Sequence, residues 1–160
     1  MKSELKNKIN NLMKITKNYS VNGAFLVLKD EGWSDGFMAD LTNYYFEIIK
    51  GKAIDKNGYF QNKVFSFNLD REKGVDIKNT IPDKTKEEEV INVEFNLEDN
   101  TCCLVSQLYK VKFNPKYLKY FYKAYKPFCG DLDIKVTSEV SPITIYIGGE
   151  LKGLIMPIRQ

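Results

Sequence analysis

Apolar positions first fall into register near the amino end. Between Ser3 and Lys17, Leu5, Ile9, Leu12 and Thr16 recur at spacings of four, three and four, the period of one helical face. The pattern predicts an amphipathic helix over 3–17, with Ser3 as its N-cap and Asn22-Gly23 breaking the periodicity beyond it. Residues 24–29 (AFLVLK) predict a buried strand, and 30–36 (DEGWSDG) a turn-rich connection. Over 37–50 the density of Tyr, Phe, Ile and Thr favours strand above helix, and Asn57-Gly58 marks a hairpin turn nearby. Residues 63–69 alternate, with Phe65, Phe67 and Leu69 opposite Val64, Ser66 and Asn68, which predicts a strand with one buried face. Residues 70–89 are the most charged and least periodic, and predict an exposed, mobile loop.

Periodicity returns at Val90. Residues 90–97 and 101–113 predict two antiparallel strands that turn at Glu98-Asp99-Asn100. Asn114-Pro115 then opens a second helix, because Asn is a good N-cap and Pro suits the first helical position. That helix is expected to run to about Lys126 and to stop at Pro127. Strands are expected over 132–137, 143–147 and 151–158, with Gly148-Gly149 as the tight connection between the last two. The order predicts an α+β fold of two helices packed on antiparallel sheets. It forms a single domain over 1–160, with a charged exposed loop or insertion around 70–89.

Composition narrows the chemistry. The chain has 160 residues, 43% of them hydrophobic, enough for a real core. It has no histidine, which excludes histidine acid–base catalysis, Ser-His-Asp triads and most zinc enzymes. Gly148-Gly149 lies in no phosphate-binding glycine pattern. Cys102, Cys103 and Cys129 lack CxxC spacing and fit small core positions in a reduced compartment. Glu87-Glu88-Glu89 is expected to be a solvated charge run. No apolar run approaches the roughly 20 residues of a membrane span. The expectation is a cytoplasmic, non-enzymatic protein without cofactor or metal.

The net charge of +3 is too small to argue for nucleic acid, so its distribution matters more. Lys116, Lys119, Lys123 and Lys126 are spaced three, four and three, on one face of the second helix. Leu118, Phe121, Tyr122 and Tyr125 occupy the other side. Stacked like charges repel by roughly 0.2–0.5 kcal/mol per pair, and no acidic residue offsets them between Asn114 and Gly130. A surface facing a polyanion accounts for that cost; a solvated helix face is the plainer reading. Without a base-reading motif, the expected contact is with phosphates, independent of sequence. On the first helix, Lys6 and Lys17 are eleven residues apart and share an angular position.

Three further motifs, Phe113-Asn114-Pro115-Lys116-Tyr117, Thr137-Ser138-Glu139-Val140-Ser141-Pro142 and the tail Met156-Pro157-Ile158-Arg159-Gln160, occur in this order over the last 50 or so residues. In order, spacing and terminal position they resemble the C-terminal domain of the bacterial DNA polymerase III beta subunit, the DNA sliding clamp family. The resemblance implies a DNA-clamp fold, with paired helices lining a hole and antiparallel sheets outside. It implies non-specific contact of double-stranded DNA by Lys6, Lys17, Lys116, Lys119, Lys123 and Lys126. It also implies an apolar groove that captures short linear motifs of DNA polymerase or repair proteins. Matched positions put Asn114, Tyr117, Val140, Pro142, Leu154, Ile155, Met156, Pro157, Ile158 and Arg159 in that groove. Family chains carry three such domains and this one has room for one, so a ring requires a homo-oligomer, six copies being the simplest closure. The implied role is a replication clamp of a phage or mobile element. The alternative is a monomeric clamp mimic that binds proteins without holding DNA. Residues 30–89 have no counterpart in the resemblance and are expected to hold extra strands or an insertion.

Overall fold

The computed structural model describes residues 3–19, 26–42, 59–61, 66–68, 72, 74–96, 98–125 and 132–159. In chain order its longer elements begin with α1 (Ser3–Ile15), β1 (Leu26–Val27), β2 (Trp33–Ser34), β3 (Met38–Asp40), β4 (Tyr59–Gln61), β5 (Ser66–Asn68) and β6 (Glu88–Glu89). They continue with β7 (Asn92–Asn96), β8 (Thr101–Val105), β9 (Lys110–Phe113), α2 (Pro115–Tyr125), β10 (Leu132–Val136), β11 (Ile143–Ile147) and β12 (Glu150–Ile155). The fold is α+β with antiparallel sheets. The chain divides into two compact units, Met1–Tyr19 with Ile81–Gln160, and Ser20–Thr80.

In the first unit, α1 buries Leu5, Ile9, Leu12 and Met13, a stripe that adds Met13 to the expected face. The helix ends at Ile15, short of Lys17. The Thr16 amide and hydroxyl both donate to the Leu12 carbonyl, at 3.1 and 2.7 Å. One sheet runs in the order β12-β11-β10-β6, and β11 is buried along its whole length. Ile134, Val136, Ile143, Ile145 and Ile155 fill the core there. Gly148 and Gly149 join β11 to β12 with φ of 61° and 81°, the positive values a two-residue type I′ hairpin needs.

The second sheet of this unit is β7-β8-β9. Its first turn falls at Glu98-Asp99-Asn100, as expected, with Asn100 at φ 56°. Residues 101–113, however, are two strands and not one. The chain reverses at Ser106–Tyr109, where Ser106 donates its amide to the Tyr109 carbonyl at 2.9 Å and its hydroxyl accepts the Tyr109 amide at 3.1 Å. The turn contains no Gly, Pro, Asn or Asp, so the usual punctuation is missing. The chain links the two sheets at both margins. Ile91, just after β6, donates to Val105 of β8 at 2.8 Å, and Ile158, beyond β12, donates to Lys112 of β9 at 2.8 Å. The terminal strand therefore ends at Ile155, and Ile158 is bonded to the other sheet.

The charged stretch before β7 is exposed over most of its length but is not featureless. It carries 3-10 turns at Lys78–Thr80 and Lys84–Lys86, the second capped by Asp83, and then β6, which pairs with β10. Asp83 accepts from the Thr85 amide and hydroxyl, which hold its carboxyl below the usual range. Glu87 and Glu88 are half-buried, which corrects the reading of a solvated acidic run. Glu87 accepts from the Tyr146 hydroxyl at 2.8 Å, and Glu88 accepts from the Leu108 amide at 3.0 Å.

In the second unit, β1, β2 and β3 form antiparallel neighbours around Val27, Leu28, Trp33, Met38 and Ala39, all buried. β2 lies inside the stretch expected to be only turn. Trp33 is fully buried, and burial of that ring outweighs the flanking turn residues. β4 pairs with β5. The expected hairpin residues Asn57-Gly58, and residues 43–50, lie outside the described ones.

Candidate nucleic-acid interface

α2 starts where its first two residues dictate. The Asn114 side chain accepts the Lys116 amide at 3.1 Å, and Pro115 takes the first helical position. Pro115, Tyr117, Leu118, Tyr120, Phe121 and Tyr125 are buried, a wider apolar stripe than expected, while Tyr122 is only half-buried. Phe121 packs over Gly153 of β12, where a Cβ would overlap its ring. The remaining strip of the helix is Lys116 and Lys119, half-buried, and Lys123, exposed. Lys126 lies outside the described residues.

The stripe faces the end of α1. Lys119 donates to the Met13 carbonyl, and Lys123 donates to the Asn18 side chain at 3.1 Å. Met13 belongs to the last turn of α1, whose carbonyls lack intrahelical partners and carry the negative end of the helix dipole. Tyr19 then lies 5.6 Å, centroid to centroid, from both Tyr117 and Tyr120. The Lys116 ammonium sits 5.1 Å from the Tyr117 ring centre. Lys6 and Lys17 are exposed, and Lys8 crosses to Asn92 of β7 at 2.9 Å.

Charge in this unit is segregated. Lys6, Lys8, Lys14, Lys17, Lys116, Lys119 and Lys123 belong to the helices or the residues just after α1, with Glu4 the sole acidic residue among them. Most acids of the unit sit on its strands, turns and connecting loops. Some pair with lysines of the sheets: Glu94 with Lys110 at 2.8 Å, Asp99 with Lys112 at 3.0 Å, and Glu150 with Lys152 at 2.8 Å. Such partly exposed pairs add little stability, but they leave the sheets nearly neutral where the helices are not.

Several positions that the resemblance assigns to a groove lie at one end of the two sheets. The register Ile143↔Ile155 brings Pro142 and Met156 to the same end of the β11–β12 pair. The Ile158–Lys112 bond holds the tail beside β9, two residues before Asn114. Their chemistry divides. Pro142, Leu154, Ile155 and Tyr117 are buried, Pro157 is half-buried, and Asn114 is used as a helix cap. Val140, Met156 and Ile158 are exposed by 62%, 37% and 36%, with Arg159 also exposed. The Ser138 hydroxyl fixes the loop by accepting the Val140 and Ser141 amides at 3.3 and 3.0 Å. An exposed apolar surface next to a cationic residue suits a short peptide with hydrophobic anchors.

Met13, Asn18 and Tyr19 were not legible as parts of this surface, because their partners lie about a hundred residues away in sequence. Burial pushes the Cys102 thiol up to about 12 and raises that of Cys103, so neither is a ready nucleophile. Cys129 lies outside the described residues. Among the described residues there is no group of side chains able to hold a metal ion, and no helix long and apolar enough to cross a membrane. Comparison of the chain with protein-family models, curated proteins and solved structures gave no match.

Proposed function

We propose that the first unit is a sliding-clamp-like element of DNA replication. The lysines of α1 and α2 contact the backbone of duplex DNA without reading its sequence. The apolar end formed by Val140, Met156 and Ile158 tethers a polymerase or repair partner. The observation that carries this reading is the segregated charge: two neighbouring helices and the residues just after α1 hold seven lysines against one acid, with two antiparallel sheets behind them. Like charges gathered at that density cost folding energy that a polyanion returns. The motifs around Asn114, Ser141 and Met156 add the family resemblance described above. Closing a ring requires self-association, which native mass spectrometry reads directly.

The test is fluorescence anisotropy with a labelled duplex at low salt. Lys17→Glu with Lys123→Glu is expected to weaken binding at least tenfold; an unchanged affinity overturns the DNA reading. A protein-binding module that does not hold DNA is the second reading. It is favoured by one observation, that Lys119 already donates to the last turn of α1. That reading predicts no duplex binding and intact capture of a clamp-binding peptide, weakened roughly fivefold or more by Met156→Ala.

A further inference from the structure

The three lysines of α2, Lys116, Lys119 and Lys123, share a face, but not an environment. Lys119 is half-buried, and its ammonium donates to the Met13 carbonyl in the last turn of α1. Around it, Lys123 holds Asn18, and Tyr19 rests on Tyr117 and Tyr120. The residues from Met13 to Tyr19 are thus fastened along α2, and Lys119 is the fastening that reaches the helix itself. Moving its ammonium to a phosphate would leave a terminal helix carbonyl without that donor, and the cost of an unmade bond opposes the gain of the new one.

Resting on the DNA-binding reading, we infer that Lys119 is a positioning residue that sets α1 against α2, and that the phosphate contacts belong to the more exposed lysines, Lys6, Lys17 and Lys123. A positioning residue and a phosphate ligand differ in salt linkage. Losing one phosphate contact lowers the slope of log K against log salt by about one. Losing a positioning residue lowers affinity and leaves the slope nearly as it was.

The experiment compares Lys119→Met, Lys119→Arg and Lys17→Met with the unmodified chain, by amide hydrogen exchange and by duplex titration across a salt series. Lys119→Met is expected to lower Tm by about 3–6 °C and to speed exchange at Met13–Thr16 by roughly tenfold. Lys119→Arg, which keeps a donor, is expected to restore both. Lys17→Met is expected to leave exchange unchanged and to lower the salt slope by about one. A Lys119→Met chain that fails to fold while Lys119→Arg folds carries the same conclusion. Unchanged exchange at the end of α1 in Lys119→Met overturns the inference, as does a salt slope that falls by one in that variant. If the unmodified chain binds no duplex, the DNA reading fails, and the exchange result alone decides whether Lys119 fastens the helices.

Discussion

Tyr146 shows how one side chain ties the charged stretch to the core. Its hydroxyl donates to Glu87, 2.8 Å from each carboxylate oxygen, and the Lys84 and Lys135 ammoniums lie 6.0 and 5.6 Å from its ring centre. Burial, then the Glu87 hydrogen bond and charge, push its pKa from 10.0 up to about 12. A folded value above the unfolded one means the contribution is complete below pH 10 and is lost as pH rises towards 12. Urea unfolding between those pH values should lose stability more steeply in the parent chain than in Tyr146→Phe; equal slopes would refute the link. Cys102 offers a second residue-level check. With its thiol buried and pushed up to about 12, it should resist iodoacetamide at pH 8 in the folded protein and react on unfolding in urea. Rapid native alkylation, read by mass spectrometry, would show that β8 is not packed as described.

Elements differed in how plainly the chain announced them. α2 was legible because Asn114 and Pro115 are both capping signals and act as such. The β11–β12 hairpin was legible because two adjacent glycines supply the positive φ its turn needs. The β8–β9 turn was hidden because only Ser106 provides turn chemistry, and the one other trace of it is that the buried positions shift from Cys102 and Leu104 to Val111 and Phe113, out of phase by one residue. The charged stretch before β7 reads as a loop in the sequence because its partners, Tyr146 and Leu108, are distant along the chain. Contact between α2 and β12 depends on Gly153, since a Cβ there meets the buried ring of Phe121. Gly153→Ala should destabilise the protein by about 1–3 kcal/mol. A urea midpoint indistinguishable from the parent would show that the ring moves aside freely.

At the scale of the molecule, the unit from Ser20 to Thr80 covers most of the stretch that has no counterpart in the clamp resemblance. What remains, Met1–Tyr19 with Ile81–Gln160, brings together both helices, the three motifs and the segregated charge. The lysine stripe could be counted from the sequence. That Lys119 turns towards α1 could not, because its acceptor is 106 residues away. The candidate groove was legible as a set of positions, and the structure separates its core members from the exposed Val140, Met156 and Ile158. The measurement closest to the central claim is the salt dependence of duplex binding. If the helix face holds phosphates, log K should fall linearly with log salt, with a slope of about −0.9 for each phosphate neutralised. Lys17→Glu with Lys123→Glu should then make that slope shallower by about two. No binding at low salt, or a slope untouched by the charge reversal, would contradict the account.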